Sequence, residues 1–107
     1  MDLLAIIEVA RERRASDIHF TDRRPPLIRV DGALISVGTE NMNPQSLEAV
    51  ARELAQERYD EFLERGEIDF TFQAPHNRLR VNIYRQRGVP AAALRLIPET
   101  IPKFEQL

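Results

Sequence analysis

The chain has 107 residues, of which 15 are basic and 17 acidic, for a net charge of -2, and 43% are apolar. That balance fits one small globular domain and argues against disorder. No apolar run approaches the ~20 residues that a membrane-spanning helix needs, and the absence of cysteine excludes disulfides and thiolate metal sites.

The N-terminal stretch MDLLAIIEVARERR is apolar and then basic, the reverse of a secretory leader, and it has no small-residue cleavage site; the chain therefore reads as cytoplasmic. Asp2 is placed to cap a helix over residues 3–14. Leu3, Ile6, Ile7 and Ala10 fall on one stripe, and Arg11, Arg13 and Arg14 suit the negative C-terminal end. Residues 16–20 alternate, with Ile18 and Phe20 on one face and Asp17 and His19 on the other, which predicts a short strand. A loop over 22–26 ends in a Pro-Pro pair. Asp31-Gly32 is a two-residue hairpin turn that pairs Leu27–Val30 with Ala33–Val37.

Asn43-Pro44 opens a second helix, with Asn as cap and Pro at its first position. Leu47, Val50, Ala51 and Leu54 form its apolar stripe. Tyr59, Phe62 and Leu63 form another, shifted in phase by one residue, which predicts a break near Gln56 and a second short helix ending at Gly66. Residues 67–73 alternate cleanly as a strand, with Ile68, Phe70 and Phe72 on the apolar face. The order of these elements predicts an α+β domain with a mostly antiparallel sheet over residues 1–98, followed by an exit segment over 99–107.

The run RLRVNIYRQRGVPAAALR (78–95) is the unusual feature. Residues 70–98 hold five arginines and no acid, whereas residues 40–69 hold nine acids and three bases. Arginine supplies 14 of the 15 cationic side chains, which favours planar, forked contacts. A turn at Arg87-Gly88 would set Leu79 against Leu96, Val81 against Leu94 and Ile83 against Ala92 on an apolar face. The other face would then set Asn82 against Ala93, Tyr84 against Ala91 and Arg80 against Arg95. Like charges directly opposite cost roughly 0.2–1 kcal/mol. Arg78 lies on the same face, and Ala91 and Ala93 leave space beside the pair, so the arrangement suits a doubly charged anion such as phosphate. Two other readings stay open on spacing alone. Glu67 or Asp69 on a neighbouring strand could neutralise the arginines, or the basic hairpin could dock an acidic protein partner or nucleic acid.

Other constellations are weaker. His19 and Asp17 share a strand face, and His76 is the only other histidine, so a His–Asp contact that fixes local structure or an interface is favoured over a metal site. Ser16, Ser36 and Ser46 lie in no nucleophile context. No GxxxxGK[ST] or GxGxxG motif occurs, so the chain carries no phosphate loop of its own.

In order, ASDIHF (15–20), PPLIRVDGAL (25–34), IDFTF (68–72), RLRVNIYRQRG (78–88) and LRLIP (94–98) closely resemble the N-terminal domain of PilT-type pilus retraction ATPases, within the type II/IV secretion ATPase superfamily. The resemblance covers nearly the whole chain. It implies a PAS-like fold and a cytoplasmic homo-hexamer docked at the inner-membrane platform of a pilus machine. It also implies a following RecA-like domain that binds ATP and Mg, whose motifs these 107 residues do not contain. No cofactor, no nucleic acid and no ATPase activity are then expected of this chain alone. By position in the matching motifs, Arg80 and Arg95 would be arginine fingers reaching nucleotide phosphates, with Arg78 a weaker phosphate contact; the resemblance does not assign Asp17 and His19, which are read here as inter-domain or inter-subunit contacts. Lys103 departs from the small polar residue more usual in the linker.

Overall fold

A computed structural model of the chain describes residues 2–98. The exit segment over 99–107, with Lys103, lies outside the described residues. Helix α1 (Leu3–Glu12) is capped by the Asp2 carboxylate, which accepts from the Ala5 amide at 3.2 Å. It ends two residues before the predicted bound, because Arg13 leaves helical geometry and Arg14 adopts φ 58°. Strand β1 (Asp17–Phe20) follows, then β2 (Leu27–Val30) and β3 (Ala33–Ser36), joined by Asp31-Gly32 with φ positive at both residues, as a primed turn requires.

Helix α2 (Pro44–Ala55) carries the expected proline at its start and a reciprocal cap. The Ser46 amide donates to Asn43 Oδ1 at 2.8 Å, and the Asn43 amide donates to the Ser46 hydroxyl at 2.9 Å. The phase slip in the apolar pattern is a 3₁₀ turn over Gln56–Arg58, entered through Gln56 at φ 53°. It hands over to α3 (Tyr59–Arg65), which Gly66 terminates in the left-handed conformation. Tyr59 and Phe62 are buried as expected. Leu63 is not: it is 48% exposed, because the 3₁₀ turn rotates α3 so that only the first two residues of the stripe meet the core.

Strands β4 (Glu67–Gln73), β5 (Arg78–Gln86) and β6 (Val89–Leu96) complete a six-stranded sheet in the order β3-β2-β1-β6-β5-β4, antiparallel at every pairing. The architecture is the expected α+β, PAS-like class. Alternation along each strand separates two faces. The apolar face holds a cross-strand row, Ile28–Ile18–Leu94–Val81–Phe70, in which each residue is the Cα partner of the next. Its first four members are at most 1% exposed, and they join the buried stripes of the three helices in one cluster with Phe62. Phe70 and Phe72 point the same way but stay half-buried, because β4 is an edge strand. With the helical stripes committed to that face, no helix of the described residues covers the opposite face.

Leu94 sits at the centre of the apolar row, fully buried between Ile18 and Val81. Replacing it with alanine should cost about 2–5 kcal/mol of stability through lost transfer energy and a residual cavity. Urea unfolding of Leu94→Ala against the parent chain measures this, and a loss under ~1 kcal/mol would contradict the packing described.

Candidate functional site on the open sheet face

One residue along from the apolar row, on the opposite face, runs a second cross-strand row: Arg29–Asp17–Arg95–Arg80–Thr71. The hairpin supplies its centre. Arg87 (φ 54°) and Gly88 (φ 81°) form the predicted two-residue turn, and every pairing expected of β5 and β6 is present, including Arg80 opposite Arg95. Only glycine adopts the second turn position without strain, so the turn chemistry and the apolar partners impose the same register.

Both arginines are exposed, and among the described residues neither makes a hydrogen bond or an ion pair. The acids of β4 do not neutralise them. Thr71, not an acid, is the partner of Arg80, while Asp69 stands opposite Asn82. Glu67 accepts from the Asn82 side-chain amide at 2.9 Å. A shallow groove over the pair is floored by Ala93 and by the backbone of Val81 and Leu94, and edged by Asp17, His19, Asp69 and Asn82. The small Ala93 keeps it open. Arg78 lies on the same face but lines a neighbouring cleft with His76, Asn77 and Pro98, outside the groove of the pair.

Asp17 and His19, singled out in sequence as a pair on one face, stand on this same arginine face. Asp17 is the Cα partner of Arg95, and His19 is that of Ala93. The Asp17 carboxylate accepts from the Ser16 hydroxyl, from His19 Nε2 and, at 3.4 Å, from Arg29 Nε. Among the described residues no three His, Asp or Glu side chains group as a metal site, and Asp17–His19 is a hydrogen-bonded pair. Sequence reasoning missed Arg29. The signal was present, since the β2–β3 turn fixes its face, but nothing local tells that β2 lies beside β1.

Burial of Asp17 acts to raise its pKa. The hydrogen bonds from Ser16 and His19, with the charges of His19 and Arg29, outweigh that and hold it below the ordinary aspartate value.

No protein-family model matches the chain. The type IV pilus retractation ATPase PilT of Pseudomonas aeruginosa is 30% identical over 100% of this chain and 32% of its own length. The type IV pilus ATPase PilU of the same organism is 28% identical over 100% of the chain and 28% of its own. Among solved structures, that of the pilus retraction motor PilT with bound ADP superposes with a TM-score of 0.86 at 34% identity, covering 100% of this chain and 32% of that one. The ATPase DotB of Legionella pneumophila gives a TM-score of 0.74 at 25% identity, over 94% of this chain and 30% of that one. The chain is homologous to the N-terminal region of the secretion ATPases of the PilT and DotB type. It spans about a third of the length of the curated relatives it matches.

Because the folded-state pKa of Asp17 is depressed, folding favours its ionised form. That stabilisation is fully present above the unfolded value of about 3.9 and is lost as the pH falls through the lower folded value. Urea unfolding from pH 2 to 5 should therefore show the parent chain's advantage over Asp17→Asn fully present near pH 5 and falling below about pH 4. A difference that stays flat to pH 2 would show that these donors do not favour the carboxylate.

Proposed function

We propose that this chain forms the N-terminal domain of a type IV pilus retraction ATPase, the motor of twitching motility. Its role there is to present Arg80 and Arg95 to the phosphates of ATP held, with Mg, by a RecA-like domain. The observation that carries this reading is the directly opposed Arg80–Arg95 pair, exposed and without an acidic partner among the described residues. Homology to PilT supports the wider assignment, as does a gonococcal twitching motility protein that is 29% identical over 77% of the chain. In this reading the domain works in a cytoplasmic hexameric ring at the inner-membrane base of the pilus. Closure of domain on domain brings the arginines to the nucleotide, so that hydrolysis is coupled to ring motion.

The chemistry follows from the pair. Two guanidiniums on adjacent strands offer forked N–H groups to a doubly charged oxyanion, which removes their mutual repulsion and stabilises charge on the transferring phosphoryl group. The residues present fit a phosphate and not a metal, so Mg would be held by the RecA-like domain. Arg78, one step along the strand face, would contribute less.

In the protein that joins this chain to a RecA-like domain, Arg80→Gln and Arg95→Gln should each lower ATP turnover by roughly 10³-fold, the low end of arginine-finger effects, with ring assembly unchanged. Wild-type turnover in both variants, with rings intact, would end the proposal. Salt-dependent binding of the chain to oligonucleotides, lost in the same variants, would point to a nucleic-acid surface instead.

A further inference from the structure

The arginine row contains an acid that ought to cancel it. Asp17 is the direct cross-strand partner of Arg95. Side chains opposed in this way have Cβ atoms about 4.5–5.5 Å apart, well within the reach of a guanidinium. Yet among the described residues Asp17 pairs with His19 and Arg29, and Arg95 pairs with nothing. Of its partners, Arg29 lies on β2, across β1 from Arg95, while Ser16 and His19 belong to the Asp17 segment itself. A carboxylate has about four lone-pair sites, and three are taken. Oδ1 accepts from Ser16, while Oδ2 accepts from His19 Nε2 and from Arg29 Nε at 3.4 Å. Arg29 is itself held in place, since its Nη1 donates to the carbonyl of Gly32 in the β2–β3 turn at 3.1 Å.

We propose that Arg29 and His19 are positioning residues that hold the Asp17 carboxylate away from Arg95 and so keep that arginine available to an anion. The functional meaning of this rests on the reading of Arg80 and Arg95 as a phosphate-binding pair; the restraint itself does not. The turn carbonyl orients Arg29, Arg29 and His19 occupy Asp17, and Asp17 is thereby withheld from its neighbour across the strand. Loss of either donor frees a carboxylate next to an unpaired guanidinium, and the two then join. The anion must compete with an internal one.

The test uses side-chain Nε–Hε NMR of Arg95 in the 107-residue chain, with folding judged from the dispersion of the amide spectrum and inorganic pyrophosphate as the anion. In Arg29→Gln the Arg95 signal should move to the position of a hydrogen-bonded guanidinium, and pyrophosphate should bind up to about fivefold more weakly, the size of a cross-strand charge pair. Adding Asp17→Asn to Arg29→Gln should reverse both changes. His19→Ala should act in the same direction, so the test survives if one variant is poorly folded. An unmoved Arg95 signal in both Arg29→Gln and His19→Ala would overturn the proposal. So would a loss of binding that Asp17→Asn does not restore, because Arg29 would then be a ligand in its own right. If Arg95 joins Asp17 in Arg29→Gln but pyrophosphate never perturbs Arg80 or Arg95 in the parent chain, the restraint stands and the phosphate reading falls.

Discussion

The register of the β5–β6 hairpin is the constraint on which the open face depends. Side chains alternate with period two, so a slip of one residue by either strand would turn that strand's arginine toward the core and expose its apolar neighbour, Arg80 with Val81 or Arg95 with Leu94. Two unrelated forces forbid that slip. The Arg87-Gly88 turn selects the pairing through backbone geometry, and burial of Leu79, Val81, Ile83 and Leu94 rewards the same pairing. Each of these four is at most 1% exposed, so their combined burial far exceeds the ~0.2–1 kcal/mol by which two opposed arginines repel. The repulsion is an affordable consequence of a register chosen for other reasons.

The sheet order then decides what the arginine pair can meet. The α2 stripe packs across the centre of the sheet, chiefly against β6, while α1 and α3 reach β1 and β4 on the same apolar side. Among the described residues, Arg80 and Arg95 of the charged row are therefore left exposed. Because β1 lies beside β6, the row gains Asp17 and, through β2, Arg29. Placing an acid next to Arg95 would ordinarily produce a simple ion pair. Here the acid is already engaged by Ser16, His19 and Arg29, and charge compensation stops at Asp17 without reaching the hairpin.

What could be read from the chain and what could not divide along sequence separation. The hairpin pairing, the capping at Asn43, the break near Gln56 and the stop at Gly66 depend on residues within a few positions of one another, and each appears in the structure where the sequence placed it. The exposure of Leu63 was not legible, because it depends on how far the 3₁₀ turn rotates α3, and periodicity carries no record of that angle. The neighbourhood of Asp17 was illegible for a different reason. Asp17 and Arg95 are joined by strand order, and no turn between them announces the pairing. The candidates Arg80, Arg95, Asp17 and His19 were thus all named in sequence, but as two separate features. The fold makes them one.

That union bears on what kind of site this is. A surface for a diffuse acidic partner would gain from every arginine and would not need them aligned. The open face instead has two guanidiniums in strict register over the small Ala93, with β4 offering Thr71 in place of an acid beside Arg80. Fixed spacing favours a compact, highly charged anion over a loosely disposed one, since forked hydrogen bonds repay alignment and screened point charges do not. The groove also holds His19 and Asn82, with the carboxylates of Asp17 and Asp69 at its edge, and the sequence has no GxxxxGK[ST] or GxGxxG phosphate loop. On the proposed reading, the pair is one half of a site, and what the open face itself presents is two arginines in direct cross-strand register without an acidic partner among the described residues.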